Sequence, residues 1–238
     1  MIADNLKSVT QRVSRSCEKS GRRPDDVKLI CVTKQADISQ INEVLALGVK
    51  EIGENRLSDA LIKYKSIGDR AVWHLIGHLQ TNKVKDAVKI FSLIHSVDSV
   101  RLAKKIDKEA KKINKVQDIL IEVNASGEQS KFGILPANLE ILYKDIVLYP
   151  NINILGLMTM APEVDDPEEA RQYFRKLREI RDKFNAIRNT PWPASSKNQG
   201  RQYAIRELSM GMTNDFEVAI EEGATMVRIG RAIFKDDR

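Results

Sequence analysis

Cysteine is scarce in this sequence, which contains only Cys17 and Cys31. Their positions fit no metal-binding or redox spacing, so a cysteine-ligated metal centre and a dithiol redox motif are both excluded. Cys31 lies inside an apolar stretch, where a small buried thiol is the ordinary expectation. This cysteine usage predicts a protein of the reducing cytoplasm.

Long apolar runs are also missing. Residues 1–20 carry charges throughout and lack the continuous apolar core of an export signal. No later run is long and apolar enough to span a bilayer. We therefore expect a cytoplasmic protein without a membrane partner. The three histidines show no metal-ligand spacing, and no metal site is predicted.

The net charge is +6 and the pI is about 9.2, values that also occur in nucleic-acid-binding proteins. The densest basic stretch, Val100–Lys115, nevertheless has apolar residues at helical spacing, with its lysines on the remaining positions. That pattern is typical of the solvated face of an amphipathic helix. We expect no nucleic-acid partner.

An opening helix over residues 2–19 is followed by one unit that recurs along the chain: a short apolar run, a small or polar residue, and then an amphipathic segment. The predicted strands lie within residues 27–34, 49–52, 72–76, 91–97, 119–123, 152–158, 205–209 and 225–229. Eight such units without a linker predict an α/β fold, a single (β/α)8 TIM barrel with an extra N-terminal helix spanning 1–238 as one domain. Two Rossmann-like halves are the alternative, but the first strand is followed by Lys34–Asp37 and not by G-x-G-x-x-G. The aperiodic stretch 190–202 is predicted to be a mobile loop.

Lys34 ends the first apolar run, at the point where a strand of an α/β fold opens into the ligand crevice. A lysine here can be a nucleophilic amine that forms a Schiff base. The alternative is a strand-end lysine whose amine extends into solvent.

In a barrel, the residues that follow the strands meet on one face. They are Lys34, Asn55, Gly77-His78, Ser96, Asn124, Met158-Thr159, Ser209–Gly211 and Arg228–Gly230. Ser209–Thr213 supplies a hydroxyl, a glycine that permits close backbone approach and a helix start, and Gly230 opens the last helix, so both loops are candidates for holding phosphate.

A lysine amine opposite a phosphate site fits either bound pyridoxal phosphate or an aldolase acting on a phosphorylated sugar. Arg228 favours the first, because an arginine is the partner of the pyridine nitrogen in barrel-type pyridoxal enzymes. An ion pair of Arg228 with a neighbouring acid such as Glu207 is the alternative.

Several motifs then occur in one order along nearly the whole chain. They are Val32–Lys34, Gly53–Arg56, Trp73–Lys83, His95–Asp98, Leu157–Pro162, Leu208–Phe216 and Arg228–Phe234. With them the sequence resembles the pyridoxal phosphate homeostasis protein family, whose fold is similar to the N-terminal barrel of alanine racemase.

The resemblance implies a pyridoxal 5'-phosphate carrier that stores, delivers or buffers the cofactor. We expect apo pyridoxal-phosphate-dependent enzymes as partners and a monomeric state. The resemblance also implies that Lys34 carries the cofactor as a Schiff base and that Arg228 meets its ring. By the same resemblance Ser209, Met210 and Gly230 hold the phosphate, and Asn55, His78 and Met158 line the pocket. Gly211 is a further cofactor-binding candidate, because a glycine permits close backbone approach. Two features depart from the family pattern: Gln35-Ala36 after the lysine, and a longer 190–202 loop.

Efficient racemisation is not expected, although a barrel-class pyridoxal enzyme with weak amino-acid racemase activity is the alternative. Racemisation needs an acid or base on each face of the substrate Cα. In alanine racemase the second base is a tyrosine from a further C-terminal domain, whereas this sequence ends at Arg238. None of its five tyrosines directly follows a predicted strand, and Tyr203, beside the long loop, is the only candidate.

Overall fold

Eight parallel strands form a closed barrel in the computed structural model, which describes residues 1–188 and 204–235. The strands are β1 (Lys28–Val32), β2 (Glu51–Glu54), β3 (Val72–Leu75), β4 (Leu93–Val97), β5 (Gln117–Glu122), β6 (Ile152–Met158), β7 (Glu207–Ser209) and β8 (Met226–Ile229). Each pairs with the next along the chain, and β1 pairs with β8 over Lys28–Cys31 and Met226–Ile229 to close the ring. The predicted fold class is confirmed.

Helices surround the barrel: one precedes the first strand, and one follows each strand. They are α1 (Ile2–Lys19), α2 (Ile38–Ala46), α3 (Leu57–Ile67), α4 (Val84–Ile90), α5 (Val100–Lys111), α6 (Leu139–Ile146), α7 (Pro167–Arg188), α8 (Phe216–Glu221) and α9 (Arg231–Phe234). The extra helix α1 lies against α8 and α9, where Arg12 donates two hydrogen bonds to Glu217, at 2.8 and 3.1 Å. It therefore covers the part of the molecule where the first and last strands meet.

The apolar residues form two cores because neighbouring strand residues point to opposite faces. The larger core lies between the strands and the helices, and Cys31 on β1 belongs to it. The smaller core includes Ile30 on the same strand and lies inside the barrel. Its buried members are Ile30, Leu93, Leu120, Met158 and Met226. The interior of the barrel is therefore packed with side chains. Its ligand-facing end lies at the carboxyl ends of the strands.

The second strand begins two residues later than its sequence predicts. Gly48 adopts a positive φ of 92° after α2, and the amide of Val49 bonds back to the carbonyl of Val44 at 3.1 Å. This helix-ending turn uses Val49, the residue at which the apolar pattern predicts the strand to start. The structure places β2 at Glu51–Glu54, so that Asn55 directly follows it.

The lysine-rich segment forms α5, as predicted. Lys104, Lys108 and Lys111 are exposed on this helix, whereas Leu102 and Ile106 are buried. No helix in the described part of the chain is both long and apolar enough to cross a membrane. The predicted mobile loop at 190–202 lies outside the described residues.

Candidate functional site

A cavity of about 430 Å³ opens at the carboxyl ends of the strands. Four of the predicted site residues line it together: Lys34, Asn55, Arg228 and Gly230. Its wall is completed by Met212–Asp215 from the loop after β7, Met160–Val164 from the loop after β6, and single residues that include Lys131 and Arg231. Its volume lies within the range of small-molecule sites.

Lys34 lies two residues beyond the end of β1, and its side chain is exposed. The backbone beneath it is held firmly. Thr33 is fully buried, its hydroxyl donates to Glu54 at 2.6 Å, and Lys63 donates both to the Thr33 carbonyl at 2.6 Å and to Glu54 at 2.7 Å. The lysine therefore has an exposed side chain on a fixed attachment point, a suitable arrangement for an amine that must reach a ligand.

Arg228 is 4% exposed and enters the cavity from β8. Its Nη1 donates to Ser209 Oγ at 2.6 Å and its Nη2 to the Thr159 carbonyl at 2.9 Å. Glu207, the alternative partner, instead accepts a hydrogen bond from Thr225 at 2.6 Å. Within the described ranges, the side chain of Arg228 hydrogen-bonds only Ser209 and Thr159, so the guanidinium is positioned without a carboxylate in direct contact.

Burial lowers the pKa of Arg228 to about 10, against the opposing influence of two nearby acids, Asp215 and Glu122. At neutral pH the guanidinium nevertheless keeps its proton. A buried cation with acids near it but not bonded to it is a strong local source of positive potential.

The loop after β7 lines the cavity with later residues than the sequence predicts. Ser209 and Met210 are fully buried, and the part that lines the cavity begins at Met212. Gly211 has a φ of +90°, and a Cβ there would lie 2.5 Å from the Cβ of Ala219, so this turn requires glycine. The side chain of Asp215 accepts a hydrogen bond from the Met212 amide and fixes the loop.

Gly230 lies directly after β8 and is the residue from which α9 begins. A Cβ on it would approach the carbonyl oxygen of Val32 to 2.9 Å. The close contact with the end of β1 brings the loop that carries Lys34 next to the end of β8, the strand that carries Arg228, so glycine at this position serves the assembly of the site.

The structure places two predicted pocket residues outside this cavity. His78 stacks on Phe132 with ring centroids 4.3 Å apart, and its Nδ1 lies 4.0 Å from Asp98. It shares a neighbouring depression with Asn55. Met158 is 1% exposed in the small core inside the barrel, so it lies beneath the site. Their roles in ligand binding stay predictions.

A row of polar side chains inside the barrel was not predicted. Glu51 Oε2 lies 2.6 Å from His74 Nε2, His74 Nδ1 lies 2.9 Å from His95 Nε2, and His95 Nδ1 lies 2.9 Å from Ser209 Oγ. The row ends at Arg228 through its bond to Ser209. The sequence identifies both histidines only as core or hydrogen-bonding residues of strands, and no spacing rule joins them. We call these five residues the polar row.

Glu122 was also missed, because it stands within an apolar strand sequence. It is 5% exposed at the end of β5, and its Oε2 has no hydrogen-bond partner among the described residues. Burial and the nearby Asp98 raise the pKa of Glu122 to about 7, although Arg228 opposes the shift. A buried carboxyl group that titrates near neutrality is a common property of functional sites.

Comparison with known proteins agrees with this geometry. The family model described as the alanine racemase N-terminal domain matches residues 4–238. A pyridoxal phosphate homeostasis protein from Aquifex aeolicus is 45% identical, over 97% of this chain and 96% of its own length. Another of that name from Pseudomonas aeruginosa is 33% identical over 98% of this chain and 94% of its own length.

Solved structures give the same result. PipY from Synechococcus elongatus, solved with pyridoxal phosphate bound, is 30% identical and superposes with a TM-score of 0.81, covering 98% of this chain and all of its own. An alanine racemase from Clostridium difficile is 18% identical with a TM-score of 0.68, and 58% of that chain is covered, which establishes a shared fold only. By family model, sequence identity and barrel architecture, this chain belongs to the pyridoxal phosphate homeostasis protein family.

Proposed function

We propose that the protein binds pyridoxal 5'-phosphate in the cavity at the carboxyl ends of its strands and takes part in the homeostasis of this cofactor. The observation that carries the proposal is that Lys34 and Arg228 line the same cavity from adjacent strands of the closed barrel. A lysine amine can bind the aldehyde of the cofactor, and an arginine guanidinium can contact its ring nitrogen.

The residues present fit this cofactor. Lys34 would bind the aldehyde carbon, Arg228 the ring nitrogen, Asn55 the ring edge, and the loops after β7 and β8 the phosphate. Thr213 offers a hydroxyl, and Gly230 leaves the backbone accessible. Bound through its aldehyde carbon to an amine, pyridoxal phosphate supplies an electron sink for chemistry at a substrate amine. The positive potential of Arg228 and Arg231, which both line the cavity, would attract the anionic phosphate.

The name shared by the relatives, and the cofactor bound in PipY, support a role in storing, delivering or buffering pyridoxal phosphate. We propose apo pyridoxal-phosphate-dependent enzymes as recipients. We further propose that the protein is a cytoplasmic monomer folded as one domain over 1–238.

Delivery can be tested by transfer. Loaded protein mixed with an apo pyridoxal enzyme should restore its activity faster than the same concentration of free cofactor in the presence of a scavenger for free pyridoxal phosphate. Restoration that the scavenger abolishes would contradict direct delivery and leave storage as the function.

The phosphate is predicted to anchor the ligand more strongly than the ring. Charge-assisted hydrogen bonds to a phosphate exceed neutral ones in strength, and the guanidinium groups attract the dianion. Pyridoxal without phosphate should therefore bind at least about tenfold more weakly than pyridoxal phosphate. Equilibrium titration of both ligands checks this, and equal affinities would remove the proposed phosphate site.

Racemisation is predicted to be slow. The guanidinium of Arg228 keeps its proton, so a pyridine nitrogen beside it stays unprotonated and the electron sink is weak. Among the described residues, no tyrosine lines the cavity, and Tyr203 lies outside them. Incubation with L- and D-amino acids in deuterated water measures Cα exchange. Turnover of about 1 per second or faster would instead identify an enzyme of the racemase class.

A further inference from the structure

The polar row crosses the barrel interior, and its five residues lie on five different strands, β2, β3, β4, β7 and β8. His74 and His95 are 3% and 0% exposed, and Ser209 at the other side of the barrel is 0% exposed. Four successive contacts of 2.6 to 2.9 Å connect Glu51 to Arg228 through these three residues. Since each contact holds one hydrogen, the two ends of the row constrain the direction of every bond between them.

The two end residues of the polar row, Glu51 and Arg228, each have a single hydrogen-bonding role. A guanidinium can only donate, so Ser209 Oγ accepts from Arg228. At the other end, burial would raise the pKa of Glu51, but the hydrogen bond from His74 and the charges of two nearby lysines oppose it, and the pKa is lowered. Glu51 is therefore a carboxylate and can only accept, which places a hydrogen on Nε2 of His74.

The hydrogen positions in the middle of the polar row follow from the neutral state of His95. Burial, with His74 and Arg228 nearby, lowers the pKa of His95 well below its ordinary value, so this ring is neutral. If His74 carries only its Nε2 hydrogen, its bare Nδ1 accepts from Nε2 of His95. The bare Nδ1 of His95 then accepts the hydroxyl hydrogen of Ser209.

The opposite arrangement leaves a hydrogen without an acceptor. A second proton on His74 would force His95 to donate to Ser209, whose hydroxyl hydrogen would then need another partner. In the part of the chain that the structure describes, Ser209 Oγ contacts only His95 and Arg228. Because leaving a buried hydroxyl hydrogen unpaired is destabilising, the neutral arrangement is favoured.

We propose that His74 and His95 are positioning residues which draw the Ser209 hydroxyl hydrogen into the barrel, so that Ser209 Oγ holds the Arg228 guanidinium and does not donate to the ligand phosphate. This inference deepens, and rests on, the proposed binding of pyridoxal phosphate. It reassigns the hydroxyl of Ser209 from the phosphate to the ring end of the site. Thr213, which lines the cavity directly, becomes the hydroxyl available to the phosphate.

Two alanine variants distinguish the role of Ser209 at the ring end of the site from the role of Thr213 at the phosphate. Ser209→Ala should weaken pyridoxal phosphate and pyridoxal by the same factor, about tenfold, because it acts through Arg228 on the part that both ligands share. Thr213→Ala, the matched control, should weaken pyridoxal phosphate more than pyridoxal. A larger loss of the phosphorylated ligand in Ser209→Ala would overturn the proposal.

Nitrogen-15 NMR of histidine-labelled protein tests the hydrogen positions without altering the polar row. The chain has three histidines, and His78→Gln removes the signals of the third. Both remaining rings should carry hydrogen on Nε2 and have a bare Nδ1, with or without pyridoxal phosphate. A hydrogen on Nδ1 of either ring would overturn the proposal. Failure of wild-type protein to bind either ligand would instead refute the proposed function, because the spectrum of the free protein is decisive by itself.

Discussion

Replacing Lys34 with alanine is expected to abolish covalent retention of pyridoxal phosphate. Lys34 lies two residues beyond the end of β1, and it shares the cavity with Arg228 and Gly230. Wild-type protein loaded with cofactor should be yellow and, after reduction with borohydride, should gain the mass of one phosphopyridoxyl group. Lys34→Ala should show neither the colour nor the added mass, because alanine has no amine to form the bond.

Lys131 offers a matched control, since it is an exposed lysine that lines the same cavity. Lys131→Ala should retain the colour and the added mass. Peptide mapping of the reduced wild-type protein should locate the modification on Lys34. A modified Lys131 peptide, or full retention in Lys34→Ala, would show that the cofactor attaches elsewhere.

Replacing Glu122 with glutamine should stabilise the folded protein at alkaline pH. The pKa of Glu122 is raised from its ordinary value of 4.5 to about 7 by burial and by Asp98. A raised carboxyl pKa favours the folded state while the group is protonated, and that contribution is lost as the pH rises from about 4.5 through about 7. Above pH 7 the wild type therefore keeps a buried charge that glutamine removes.

The expected gain for Glu122→Gln is about 1 to 3 kcal/mol in the free energy of unfolding at pH 8, and it should shrink towards pH 4.5. Urea denaturation across this pH range measures it. Glu169→Gln, at an exposed position of α7, should change stability by no more than about 0.5 kcal/mol at either pH. A gain for Glu122→Gln that does not vary with pH would contradict the assigned ionisation.

The sequence predicts the barrel well because the repeated unit of strand and helix is a local pattern that each segment displays by itself. Lys34, Asn55, Arg228 and Gly230 could be placed on one face for the same reason, since the carboxyl ends of parallel strands meet there. The position of β2 was wrong by two residues, because the turn at Gly48 uses residues that the apolar pattern counts as strand.

The polar row could not be predicted, because its contacts depend on the ring being closed. His95 on β4 meets Ser209 on β7 across the barrel interior, and no period along the chain relates them. The raised pKa of Glu122 likewise arises from burial among side chains of other strands. Sequence patterns indicate which face of a strand a residue takes, but not which residue lies opposite it.

The pairing of β1 with β8 has a consequence for synthesis of the protein. Lys34 and Arg228 belong to loops and strands that are almost a whole chain length apart, and they meet only when this pairing completes the ring. The segment with Lys34 emerges early from the ribosome, yet the proposed cofactor site is incomplete in the nascent chain until β8 has also emerged. Because a ligand stabilises only the state that binds it, pyridoxal phosphate would favour full-length, closed molecules and give no protection to truncated ones.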